Sequence, residues 1–152
     1  MAGALIRRDR AMISLNVMLD VAFHVGKSYV VTAAELSGRL GLSRRGMEPL
    51  LQALSRAGLL DSERGPRGGY RLGRPARDIT VLQVVAVALT EDGNAADVTR
   101  GELHAAAIEP LWEEMEARLR EDFGNLTLLD LIRRAEACGL RRPATEPISF
   151  AI

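Results

Sequence analysis

The stretch from Thr32 to Arg74, TAAELSGRLGLSRRGMEPLLQALSRAGLLDSERGPRGGYRLGR, leaves this chain fewer ways to fold than any other part of it. Thr32 is followed three residues later by Glu35, the spacing of a capping box, in which hydroxyl and carboxylate satisfy free backbone N–H groups at a helix start. Ala33, Leu36 and Leu40 then recur at helical spacing. Gly41-Leu42-Ser43 supplies a permissive glycine, a leucine to bury and a new N-cap, so a second helix is predicted after a tight turn. That helix turns Met47, Leu50, Leu51 and Leu54 inward and carries Arg44, Arg45, Gln52, Ser55 and Arg56 on its outer face. Pro49 removes an N–H from it, so the helix is expected to begin late, near Arg45 or Gly46, or to bend.

Gly58 is placed to stop the second helix. Residues 59–64 and 70–72 then read as two short strands joined by Gly65-Pro66-Arg67-Gly68-Gly69. Glycines at the tip let backbone approach another surface closely, and Arg64, Arg67, Arg71 and Arg74 surround that tip with positive charge. Such a hairpin alone could be purely structural, its arginines merely solvated. Following a helix-turn-helix pattern, it reads as a wing for a phosphate-lined groove. The predicted fold is mainly α with a small β-wing.

The formal net charge is zero, which taken alone argues against a nucleic-acid partner, but the charges are segregated. Residues 39–77 hold nine arginines against three acidic residues, whereas residues 78–152 hold seven against fourteen. The basic part coincides with the second helix and the wing, and the acidic part would sit away from phosphates. Lys27 is the one lysine, so the positive charge is almost all guanidinium, which pairs bidentately with phosphate or guanine. Aromatic residues make up 4% of the chain, which disfavours stacking on single-stranded bases; duplex DNA fits better.

Before this stretch, Met12, Leu15, Val17, Met18, Val21, Ala22 and Val25 mark an amphipathic core helix ending near Gly26, and Tyr29-Val30-Val31 a short strand paired with the wing. After it, Asp78-Ile79-Thr80 has turn and N-cap chemistry, and Val81, Val84, Val85 and Ala88 repeat at helical spacing. Residues 90–101 read as a polar loop. A longer helix begins at Glu102; Pro110 should kink it or mark the first turn of its main part, and Gly124 should stop it. Its apolar residues Ile108, Leu111, Trp112, Met115, Leu119 and Phe123 are more than a small body needs and are read as a dimerisation face, the alternative being an ordinary core helix. Thr127 caps a last helix through Ala137, and the tail from Arg141 is expected to be irregular.

The run Arg64-Gly65-Pro66-Arg67-Gly68-Gly69-Tyr70-Arg71-Leu72, preceded by Leu42-Ser43-Arg44 and Leu54-Ser55-Arg56-Ala57-Gly58-Leu59, resembles bacterial winged helix-turn-helix regulators of the IscR and NsrR type, the Rrf-two family. Met18-Leu19-Asp20-Val21-Ala22 and Leu126-Thr127-Leu128-Leu129-Asp130-Leu131 extend the resemblance over residues 5–137. It implies a homodimeric DNA-binding transcriptional regulator, a helix over Val81 to Leu89, and a first helix whose start, with Arg7, Arg8 and Arg10, lies close to DNA. Three divisions follow: residues 1–89 as the DNA-binding domain, 90–139 as a sensor-like loop with dimerisation helices, and 140–152 as a tail. Many members hold an iron-sulfur cluster on three cysteines in the segment corresponding to residues 89–109. This chain has none there, so no cofactor is expected. Pro49 also departs from the family, which commonly has a polar base-contacting residue at that position, so base preference is expected to differ.

The residues expected to carry function are therefore Ser43, Arg44, Arg45 and Glu48 in a major groove, with Arg64, Gly65, Arg67, Gly68 and Arg71 on the wing. Glu48 can accept from a cytosine amino group and either arginine of the pair can bind guanine. Arg64 and Arg67 suit an adjacent narrow minor groove. Two-fold symmetry predicts a pseudo-palindromic site, and repression is the expected mode. The inducer is left open among a small molecule, a protein partner and thiol oxidation. No metal site is expected: Glu91, Asp92, His104 and Glu109 are scattered in an acidic region and read as surface. Cys138 excludes a disulfide framework within one chain and is expected to pack inertly at a helix end; His24 is expected to be a hydrogen-bonded boundary residue. With no membrane span and no secretion signal, a cytoplasmic protein is expected. Nothing matches a nucleophile pairing or a P-loop, so an enzyme is not expected. A winged helix that binds only proteins is the remaining alternative, though it would not need this concentration of arginine.

Overall fold

The computed structural model describes residues 8–25, 30–90 and 101–143. Arg7, Tyr29, the polar loop at 91–100 with Glu91 and Asp92, and the tail beyond Pro143 lie outside the described residues.

Helix α1 (Arg8–His24) crosses under the helix-turn-helix and buries Ala11, Ser14, Val17, Met18, Val21 and Ala22. The buried Ser14 hydroxyl donates to the Arg10 carbonyl at 2.8 Å, which satisfies it within the helix. Met12 differs from expectation: it is 44% exposed, because the inward arc runs through Ala11, Ser14 and Met18 and passes it by.

Helix α2 (Ala33–Leu40) starts on the expected capping box, with Thr32 N–H donating to Glu35 Oε2 at 2.8 Å and Glu35 N–H donating to Thr32 Oγ1 at 3.1 Å. Gly41, at φ 66°, ends it in the left-handed conformation. Helix α3 (Arg44–Arg56) buries Met47, Leu50, Leu51, Ala53 and Leu54. The expected late start is not observed. Ser43 Oγ accepts from Gly46 N–H at 3.1 Å and fixes the first turn at Arg44. Pro49 is then the sixth residue and solvent-exposed; it cannot donate to the Arg45 carbonyl, but water can reach that side of the helix.

Gly58, at φ 75°, turns the chain out of α3, and Leu59 N–H donates back to the Leu54 carbonyl at 3.0 Å. Strands β1 (Leu60–Glu63) and β2 (Gly69–Leu72) pair antiparallel, Leu60 with Leu72 and Glu63 with Gly69. The expected third strand reduces, within the described residues, to a bridge at Val31, whose N–H and carbonyl both bond Tyr70, at 2.8 and 2.7 Å.

Helix α4 (Val81–Thr90) buries all four residues of its predicted inward face. After the described segment resumes, a π-helical turn at His104–Ile108 leads into α5 (Glu109–Gly124), with Pro110 in its first turn, where a missing N–H is tolerated. Gly124 is still helical and Asn125 caps α5. Helix α6 (Leu128–Ala137) buries Leu128 and Ile132.

One apolar cluster joins α1, α2, α3, the base of the wing, α4 and α6; Val17, Met18, Leu36, Leu54, Val84 and Leu128 are fully enclosed in it. A small second cluster sets Phe123 of α5 beside Ala11, Val81 and Val85. The starts of α4 and α6 are laced together: Val81 N–H donates to the Leu126 carbonyl at 2.8 Å and Leu128 N–H to the Ile79 carbonyl at 2.9 Å. Among the described residues no helix is long and apolar enough to cross a membrane.

The cap of α6 yields a pH prediction. Asp130 accepts from the backbone N–H and from the hydroxyl of Thr127, at 2.9 and 3.0 Å, and these bonds hold its carboxyl below the ordinary aspartate value. A depressed folded-state pKa contributes stability that is present above the unfolded value and is lost as pH falls through the folded one. The wild-type chain should therefore melt above Asp130→Asn near neutral pH. The gap should close as pH falls below about 4. Melting followed by circular dichroism across that range tests this; a gap independent of pH would contradict it.

Candidate nucleic-acid interface

Short-range chemistry builds the interface. Because Ser43 caps α3, the exposed first turns of that helix present Arg44, Arg45 and Glu48 side by side on the face opposite Met47 and Leu50. Ser43 Oγ sits close over Gly46, where a Cβ would lie 2.9 Å from it. Neither Arg44 nor Arg45 forms an ion pair with any described residue, so both guanidinium groups are available to an anionic partner.

The wing tip is built by two glycines. Gly65 adopts φ 109°, a region that side-chain-bearing residues rarely enter, and Gly68 N–H donates back to the Gly65 carbonyl at 2.9 Å. A Cβ on Gly68 would collide with the Glu63 carbonyl oxygen. The tight tip leaves Arg64 and Arg67 exposed and without ion pairs to described residues. Arg71 behaves differently. Its guanidinium meets Glu63 at 2.7 Å and Asp61 at 3.2 Å, both on the paired strand, so it braces the wing and its charge is partly neutralised there.

What sequence reading missed is the attachment of the helix-turn-helix to α1. Asp20 lies on the buried side of α1, its side chain 8% exposed, and receives a two-pronged bond from Arg39 of α2: Nε to Oδ2 at 2.9 Å and Nη2 to Oδ1 at 2.8 Å. The pairing with Asp20 raises the Arg39 pKa further, so this cation is permanent. His24 follows one turn after Asp20, its Nδ1 2.9 Å from the Asp20 carbonyl oxygen; since a carbonyl only accepts, Nδ1 carries the proton. This is the expected hydrogen-bonded boundary role. An acidic residue within an apolar helical arc, Met18-Leu19-Asp20-Val21-Ala22, was the available signal, but nothing in the sequence named its partner 19 residues on.

Arg10, on α1, is half-buried, and the side chain of Arg8 lies outside the described residues. Cys138 is the C-cap of α6, one residue past its last helical residue Ala137, and is exposed, not packed as expected. Ile108, Leu111, Trp112 and Leu119 are exposed on or beside α5, whereas Met115 and Phe123 are half-buried.

Residues 8–134 match the family model Rrf2, described as iron-dependent transcriptional regulators. The HTH-type transcriptional regulator IscR of Photobacterium profundum is 38% identical over 125 residues, 79% of this chain and 71% of that protein. Its counterpart in Vibrio atlanticus is 38% identical over 128 residues, 81% of this chain and 72% of that protein. Among solved structures, IscR of T. potens superposes with a TM-score of 0.71 at 27% identity, covering 92% of this chain and 95% of that one. CymR, the global cysteine regulator of B. subtilis, superposes with a TM-score of 0.66 at 27% identity, covering 83% and 95%. Matched along most of its length by the family model and by regulators that share its winged fold, the chain belongs to the Rrf2 family of DNA-binding transcriptional regulators, not to any class of enzyme.

Proposed function

We propose that this regulator works in the cytoplasm as a homodimer and represses transcription from a two-fold-symmetric operator, reading the duplex without an iron-sulfur cluster. The observation that carries this reading is the placement of Arg44 and Arg45 on α3 and of Arg64 and Arg67 on the wing, all exposed and none in an ion pair with a described residue. Two sit where a recognition helix presents its first turns to base edges, with Ser43 and Glu48 beside them, and two sit on the exposed wing tip, where they suit an adjacent minor groove. The exposed apolar side chains of α5 support a second copy as the partner. They would otherwise leave a large apolar patch in water, Trp112 alone being 56% exposed. In this reading residues 1–89 bind DNA, 90–139 join the copies and receive the signal, and Gly65 and Gly68 bring the wing backbone close to phosphates.

The family description names iron, and the donor set here does not fit a cluster. Cluster iron is held chiefly by thiolates, and the chain has a single cysteine, Cys138, at the far end of α6. Among the described residues no group of three or more His, Cys, Asp or Glu side chains converges on one point.

Selection of bound duplexes from a random pool at fixed salt, followed by a salt titration of the winner, tests the proposal. A symmetric site should be enriched, with log affinity falling by about 0.9 per phosphate contact per log unit of salt. Recovery of no preferred sequence would overturn sequence-specific binding by the chain alone.

A further inference from the structure

A cavity of about 420 Å³ opens where the end of α1, the base of the wing and α6 meet. Its apolar wall comes from three elements: Ala22 of α1, Leu72 of β2, and Leu129 with Ile132 of α6. Two further lining residues, Arg74 and Arg142, are cationic. Arg142 also fixes one side of the opening, donating from Nη2 to the Ala22 carbonyl at 2.9 Å and from Nε to the Phe23 carbonyl at 3.4 Å. These bonds use one edge of its guanidinium and leave the Nη1 group for another acceptor. Arg74 forms no ion pair with a described residue, and Arg71, the third cation of the lining, is already held by Asp61 and Glu63. Among the described residues no Asp or Glu lines the cavity.

An apolar wall with two incompletely used guanidinium groups at its edge selects one chemistry: a small organic anion with an apolar body and a single carboxylate. The body would cover the half-buried Leu72 and Leu129, above the buried floor of Ala22 and Ile132, and the carboxylate would lie between Arg74 and Arg142, where a charge-assisted bond is strongest. The volume lies in the range usual for small-molecule sites. We propose that this cavity is an effector site for small apolar monocarboxylates. Leu72 ends the wing strand and Ile132 belongs to the core that holds α1, so occupancy joins the wing base to α6 and would bias the angle at which the wing meets DNA. This second step rests on the DNA-binding reading above; the binding step does not.

The test is calorimetric titration of the full chain with benzoate and hexanoate, and with uncharged benzamide as control. One site per chain is expected for a carboxylate, with benzamide at least about tenfold weaker. Arg74→Gln, at an exposed position, should weaken benzoate about tenfold without lowering the melting temperature. Leu129→Trp should abolish binding by filling the cavity. The site is overturned if neither carboxylate binds at up to about 10 mM, if benzamide binds as well as benzoate, or if both variants bind unchanged. The effector role is read separately, as a several-fold change in affinity for the selected duplex at saturating benzoate; no change would overturn it. If no duplex is selected at all, the calorimetry still decides the site.

Discussion

Reversing the two wing-tip charges, Arg64→Glu with Arg67→Glu, should lower affinity for the selected duplex by about a thousandfold or more at near-physiological salt, roughly 4 kcal/mol. Both side chains are exposed and neither forms an ion pair with a described residue, so their loss removes nothing that holds the fold. The melting temperature and the circular dichroism spectrum should stay close to wild type. The effect divides into two parts: lost attraction to phosphates, and repulsion from the new carboxylates. Neutral Arg64→Gln with Arg67→Gln isolates the first and should reduce the slope of log affinity against log salt. Arg71→Glu is a poorer probe of DNA contact, because its partners Asp61 and Glu63 would then face a third carboxylate and splay the hairpin. If double reversal leaves duplex affinity intact, the wing does not enter DNA, and a protein-binding winged helix becomes the better reading.

The second large effect concerns stability. Arg39→Met should lower stability by about 2 to 3 kcal/mol, because it leaves the nearly buried Asp20 carboxylate without its two-pronged partner. For a chain of this size that corresponds to roughly 5 to 10 °C in melting temperature. The reciprocal change, Asp20→Asn, should cost about 1 kcal/mol, since the Arg39 side chain is 33% exposed and its head can return to water while the new amide still accepts one bond. The asymmetry itself is the diagnostic. Equal losses in the two variants would mean that the pair acts as a surface ion pair and that α2 is held on α1 by apolar packing alone.

These two predictions fall on opposite sides of what could be read in the sequence. The helix starts were legible because a cap is decided by residues three apart: Thr32 with Glu35, Ser43 with Gly46 and Thr127 with Asp130 all bond as their spacing requires. The inward faces of α3 and α4 were legible from helical period, and the wing from glycines that alone tolerate its turn. Where local rules competed, the reading slipped. Pro49 suggested a delayed start to α3, but the Ser43 cap fixed the first residue; Met12 had the hydrophobicity of a core residue, but not its angle on α1.

The sequence by itself determined the order of elements, the cap that starts α3 and the segregation of arginine onto α3 and the wing, because each depends on neighbours within a few residues. Only the tertiary structure decided which charges are spent and which are free. Arg39 is committed to Asp20, Arg71 to Asp61 and Glu63, and one edge of Arg142 to the end of α1, while Arg44, Arg45, Arg64 and Arg67 have no ion-pair partner among the described residues. An arginine looks the same in a sequence whether it braces a fold or waits for a ligand. Its role is set by which carboxylates and carbonyls the folded chain brings within about 3 Å of it, and that distance belongs to the packing of helices and strands far apart along the chain.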